Sequence, residues 1–183
     1  MIGLIHVLLF DLIEAKAGPD GVREVKRRAE VPADRQFRID QPYDDEEWRR
    51  LFTATGTVLG VTPEQAEVAF AGHFYRDSQK RWPMWFAMSA NARSFLERQP
   101  RIHNGFATGV LDAAEQRAIN EKFELERRPE ELVMHYRSPN RLCGLYKELA
   151  RCILRHYGEE ADIQEPRCLK SGDAECEVRV RWN

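Results

Sequence analysis

The chain has 183 residues, with 28 Lys or Arg against 30 Asp or Glu and a formal charge of −2. That balance excludes the basic excess that marks nucleic-acid or anionic-membrane surfaces, and a hydrophobic content of 43% excludes a disordered chain. A chain of this length buries a core without disulfides, so its four cysteines are expected to be thiols or metal ligands in a cytoplasmic protein.

The apolar run from Ile2 to Leu9 is interrupted by His6 and followed by Asp11 and Glu14, with no basic residue before it and no small-residue cleavage site. It therefore suits neither a signal peptide nor a membrane span. Leu4, Ile5, Leu8, Leu9, Leu12 and Ile13 recur at three- and four-residue intervals, which predicts a helix over 2–17 stopped by Gly18. A short helix is expected around 21–29, then a loop over 33–43. Asp44 or Asp45 caps a helix that carries Trp48, Leu51, Phe52, Thr55 and Leu59 on one face and closes at Gly60. Thr62-Pro63-Glu64-Gln65 offers a cap, a proline at the first helical position and a glutamine at the third. The helix it starts turns Ala66, Ala69, Phe70 and Phe74 inward. A further helix is expected from 83 to about 96, with a turn at Gln99-Pro100 leading into Arg101-Ile102-His103.

Beyond residue 120 the period changes. Phe123 and Leu125, then Leu132, Met134 and Tyr136, alternate with charges and predict a hairpin turning at Arg128-Pro129-Glu130. Helical spacing returns over 139–157 and ends at Gly158. Ala161 and Ile163, then Val178, Val180 and Trp182, give two more strands around the turn Lys170-Ser171-Gly172-Asp173. The expected class is α+β, a single domain over 1–183: a helical part over 1–60, then a part over 61–183 with an antiparallel sheet and a long packed helix. No Ser-His-Asp order, phosphate loop or HExxH is present, and the acidic run Asp44-Asp45-Glu46-Glu47 reads as a helix start favoured by the macrodipole. An enzyme is the least expected class.

Several strings, in order, resemble the heme nitric oxide/oxygen binding (H-NOX) family, related to the sensor part of soluble guanylate cyclase. They are Met1-Ile2-Gly3-Leu4, Asp11-Leu12-Ile13-Glu14, Phe70-Ala71-Gly72-His73-Phe74, Trp82-Pro83-Met84-Trp85-Phe86, Phe95-Leu96-Glu97, Ile102-His103 and Tyr136-Arg137-Ser138. The resemblance implies a heme b cofactor with His103 as its iron ligand; neutral imidazole is a common axial ligand, although spacing alone makes His103 a loop histidine. His6, His73, His135 and His156 read as surface or packing residues.

The family's propionate signature is Tyr-x-Ser-x-Arg. Tyr136 and Ser138 match, Asn140 stands where the arginine is expected, and Arg141 comes one residue late. On a helix that offset is about 100° of rotation. A small shift would let Arg141 reach in, Asn140 would donate one neutral bond, or Arg141 is simply solvated; the sequence leaves these open. The stretch Ala118-Ile119-Asn120-Glu121 lacks the proline that related domains press on the porphyrin, which implies a flatter heme or a looser pocket. Oxygen-binding relatives place a tyrosine where Leu145 stands, and Ile5 and Leu9 would face the same distal side. With no donor there, nitric oxide and carbon monoxide are expected to bind without a stable oxygen complex. Tyr146 is one residue from reversing that inference.

Cys143, Cys168 and Cys176 match zinc-binding cysteines of some bacterial relatives, with Glu165 in place of their histidine. Zinc takes four ligands from thiolate, imidazole or carboxylate. The turn at Gly172 brings Cys168 and Cys176 together, and Cys143 joins them if its helix packs on the sheet; Cys152 falls on the opposite helix face. Three buried thiols without metal, or a redox switch, remain alternatives. The resemblance implies a stand-alone sensor of a diatomic gas: binding weakens the His103 bond, its helix shifts, and a separate histidine kinase or cyclase reads the shift. The alternative is an H-NOX-fold module without heme that holds another tetrapyrrole or an apolar ligand.

Overall fold

Gly18 divides the first helical segment. The computed structural model, which describes residues 1–182, runs helical from Gly3 to Arg28 (α1), but Gly18 has φ 67° and ψ −172° and Pro19 restarts the helix. The two expected helices therefore abut at a kink, with proline at a first-turn position where its missing N–H costs nothing. Helix α2 (Asp45–Leu59) starts where the Asp44 carboxylate accepts from the Glu46 N–H and ends at Gly60 with φ 65°. In α3 (Pro63–Arg81) Thr62 and Gln65 form a reciprocal capping box.

The stretch expected as one helix over 83–96 is two. A short α4 (Pro83–Ala87) stops, and the Asn91 side chain caps a new helix, α5 (Ala92–Gly105). Pro100 lies inside α5, so Gln99-Pro100 is not a turn and His103 is helical. The cap at Asn91 provides enough turns before Pro100 for the helix to continue through it, with one backbone bond missing. Helix α6 (Ala113–Asn120) was not anticipated; its signal is Asp112, whose carboxylate accepts from the N–H groups of Ala114 and Glu115.

Strands β1 (Phe123–Arg127) and β2 (Glu131–Tyr136) form the expected hairpin. After helix α7 (Cys143–Tyr157) come β3 (Asp162–Arg167) and β4 (Cys176–Arg181). The sheet is antiparallel throughout, in the order β1-β2-β4-β3, with Tyr136 opposite both Phe123 and Cys176. The last long helix starts at Cys143, not 139: residues 139–142 form a turn in which Arg141 takes φ 51°.

Two apolar layers meet on α7. Leu8, Leu9, Leu12 and Ile13 of α1 pack with Trp48, Leu51 and Phe70, and Leu145 of α7 joins them. Met134 and Val178 on the inner sheet face pack on Tyr146, one residue further along the same helix. Each fully buried side chain of this size contributes roughly 1.5–3 kcal/mol of transfer free energy, so α7 is fixed from both sides. No helix among the described residues is long and apolar enough to cross a membrane.

Candidate functional site

Between α1, α3, α5, α7 and the β1–β2 hairpin lies a cavity of about 140 Å³. Its wall is mainly apolar, with Ile5, Phe74, Trp85, Ile102, Phe123 and Leu145 contributing. Trp85 is held by stacking on Trp82 at 4.4 Å and by an edge contact with Phe106 at 5.4 Å. Into this wall are set His103, Gln99, Lys122, Tyr136, Ser138 and Tyr146.

His103 lies in the last turn of α5, its ring edge-on to Phe123 at 4.7 Å. Burial lowers its pKa, opposed by a hydrogen bond to Asn104, so the imidazole is neutral near pH 7. Nδ1 is 3.2 Å from Asn104 Oδ1. When Nδ1–H donates to that oxygen, the lone pair is on Nε2, the atom left for a metal. Gln99 sits one turn earlier on the same face, its Oε1 buried without a partner.

Tyr136 and Ser138 are both buried on the cavity wall. The Tyr136 hydroxyl accepts from Leu142 N at 3.2 Å, and the Ser138 hydroxyl accepts from Asn140 N at 3.3 Å. Asn140 and Arg141 do not line the cavity. Asn140 Nδ2 donates to Asp45 Oδ1 at 3.0 Å, while Arg141 borders a shallow surface groove with Trp48, Arg49 and Phe52. The rotation argument that separated the two positions does not hold, because both precede α7. Asp45 also accepts from Lys122 Nζ at 2.9 Å and lies 2.8 Å from the Met1 amino group. Burial disfavours the Asp45 charge, but these three donors hold its carboxyl well below the usual range.

Leu145 faces the α1 side of the cavity with Ile5, whereas Leu9 is buried in the helical core behind it and does not reach the wall. Tyr146 belongs to the sheet side. Its hydroxyl is fully buried with no hydrogen-bond partner, and burial raises its pKa. His6 is buried within the α1–α2 core, His135 pairs with Glu175 at 2.9 Å and His156 lies 3.0 Å from the Tyr75 hydroxyl; none of them lines the cavity. Gln99 and Lys122 were missed from sequence. Gln99 is detectable as the residue four before His103, but Lys122 reaches the wall only through strand pairing.

A second cluster lies at the start of α7. Cys143 Sγ is 3.6 Å from Cys168 Sγ, and one ligand atom each of Cys143, Glu165, Cys168 and Cys176 fall within 4.8 Å of one another. Leu169 N donates to Cys176 Sγ at 3.2 Å. Lys147 bonds one Glu165 oxygen, and the other is buried without a partner. Burial raises the Cys143 thiol and pushes Cys176 up to about 11, so without metal these two thiols are protonated. Cys152 stands apart, taking a bond from Arg155 at 3.2 Å.

Taken together, the helices, the sheet order and the histidine-bearing cavity define the H-NOX fold. The Fe(II)NO form of an H-NOX protein from S. oneidensis superposes with a TM-score of 0.76 at 18% identity, covering 100% of both chains. The unliganded Fe(II) H-NOX protein from K. algicida gives 0.74 at 20%, covering 100% of this chain and 97% of that one. An oxygen-binding H-NOX domain related to soluble guanylate cyclases, in its oxygen complex, gives 0.75 at 19%, covering 99% and 94%. The Haem-NO-binding family profile matches residues 2–165, and the chain belongs to that family of heme-binding gas sensors. The soluble guanylate cyclase gcy-37 of Caenorhabditis elegans is 32% identical over 105 residues, which are 56% of this chain and 15% of that relative. The chain thus corresponds to a small part of the cyclase.

Proposed function

We propose that this chain binds heme through His103 Nε2, senses nitric oxide or carbon monoxide in preference to oxygen, and passes the signal to a partner kinase or cyclase rather than catalysing a reaction itself. The observation that carries the reading is the His103 imidazole set in the wall of an apolar cavity, its Nδ1 3.2 Å from Asn104 Oδ1. When bound, heme supplies a gas-binding iron. The residues supply the rest. His103 orients its lone pair inward, Trp85, Phe106 and Phe123 exclude water around it, and Leu145 and Ile5 offer no hydrogen-bond donor on the α1 side. Tyr146, whose unpartnered hydroxyl also lines the cavity, packs with Met134 and Val178 on the sheet side rather than with Ile5 and Leu145.

The test replaces His103 with Gly and reconstitutes with heme, with and without free imidazole. The ferrous spectrum should change in the variant and return when imidazole fills the gap. A spectrum identical to the parent in both conditions overturns the ligand assignment. A long-lived oxygen complex in air would overturn the gas preference.

The convergence of Cys143, Cys168, Cys176 and Glu165 within 4.8 Å favours a second, independent reading: a structural zinc site with three thiolates and one carboxylate.

A further inference from the structure

Carboxylates placed against an apolar wall are costly unless a charge and hydrogen bonds meet them. At one end of the cavity, the Tyr136 and Ser138 hydroxyls lack the guanidinium that completes such a set. Asn140 is committed to Asp45, and Arg141 points into a surface groove. A different cation is there. Lys122 immediately precedes β1, and its carbonyl accepts from Arg137 N at 2.9 Å, which ties it beside Ser138 across the strand pair. Its side chain is 11% exposed and lines the same cavity.

The ammonium of Lys122 is engaged by Asp45 alone, at 3.1 and 2.9 Å. Asp45 does not depend on Lys122, because Asn140 and the Met1 amino group also hold it. Lysine is a point charge on a flexible stem, so it can leave Asp45 without stranding a bare carboxylate. We propose that Lys122 is the carboxylate anchor of this cavity, swinging from Asp45 to a carboxylate of the bound tetrapyrrole beside Tyr136 and Ser138. This rests on the reading of the cavity as a heme site, where the propionates are the carboxylates in question. The altered signature motif is then a relocation of the cation from the start of α7 to the edge of β1.

The test uses heme and heme dimethyl ester, whose carboxylates are masked, loaded into the parent, Lys122→Met and Lys122→Arg. Loss to excess apomyoglobin is the readout. Heme should leave Lys122→Met about tenfold faster or more, the worth of one charge-assisted bond, while Lys122→Arg stays close to the parent. With the dimethyl ester, Lys122→Met and parent should lose the ring at the same rate. Unchanged heme loss in Lys122→Met overturns the anchor, and so does an equal acceleration with the ester, which would make Lys122 a structural prop for Asp45. Failure of the heme reading is distinguishable: the parent would then take up no heme, or its spectrum would not depend on His103, and the anchor falls with it.

Discussion

His6 is a histidine that the fold keeps from titrating. Its ring is fully buried, stacked on Phe37 at 4.6 Å and edge-on to Trp48 at 5.1 Å. Burial, with the nearby Met1 amino group, lowers its pKa from 6.5 to about 3. The unfolded chain takes up a proton below about pH 6.5 that the folded chain refuses, so stability is full above that pH and falls as pH drops toward 3. The expected slope from this group is on the order of 1 kcal/mol per pH unit. Urea unfolding from pH 7.5 to 4.5 should show a shallower acid decline in His6→Phe than in the parent; equal slopes would mean that His6 titrates alike in both states. What could be read at this scale was uneven. Tyr136 and Ser138 stood out because their spacing carries a family signature, and His103 because Ile102-His103 resembles the family's ligand position. Lys122 and Gln99 did not, because a side chain's place on a cavity wall depends on pairing and packing that no local string encodes.

Among the elements, α3 and α7 approach closely at Gly144. Gly144 faces Glu67, which is buried and bound to Lys170 at 2.9 and 3.0 Å. A methyl group at 144 would overlap the Glu67 carboxylate. Gly144→Ala gains little propensity in the first turn of α7 and must push the Glu67 carboxylate off Lys170, for a net destabilisation of about 1–3 kcal/mol, the cost of leaving a buried charged group short of its partner. In a Glu67→Ala background the overlap is gone, and the same substitution should become stabilising. Chemical denaturation of the four proteins of this double-mutant cycle measures that sign change, and additive effects would rule out the overlap. Helix caps were the most readable elements, because Asp44, Thr62 and Gly60 act on their own neighbours. The division of α4 from α5 and the existence of α6 depended on Asn91 and Asp112, caps followed by only weak apolar periodicity. Pro100 looked like a terminator, but a helix already nucleated at Asn91 carries through it.

For the whole molecule, the cavity draws on residues from Met1 to Leu149, so no single segment announces it. Its 140 Å³ is in the range that accepts a single aromatic ring; on the heme reading, the cavity would have to widen to admit the larger ring. The cysteine cluster joins α7 to both sides of the β3–β4 connection, and on the zinc reading it staples the helix to the sheet. Untagged protein should then carry near one zinc per chain, and Cys168→Ser should lose the metal and lower the unfolding temperature, as expected when metal binding and folding are coupled. Stably folded, zinc-free parent protein would leave a cluster of three thiols without metal. The convergence of Cys143, Cys168 and Cys176 was readable from a turn and a helix face. The placing of Asn140 and Arg141 was not, because a turn precedes α7 where helical spacing suggested that the helix had begun.

Pro100 gives the His103 helix an uneven stiffness. It has no N–H to offer the Leu96 carbonyl one turn back, so the ladder of backbone bonds along α5 has a missing rung just before the segment Arg101–Gly105. The helix nonetheless runs on to Gly105, with the bonds on either side of the gap still spanning it, and bends there more readily than elsewhere. The upstream turns are anchored by Phe95 and Leu96 in the core under Phe86 and stay fixed. The imidazole is therefore carried just beyond the point where α5 bends most readily. On the heme reading of the cavity, a displacement at Nε2 would load this weakened stretch first and be felt at Phe106 and the tryptophans it touches.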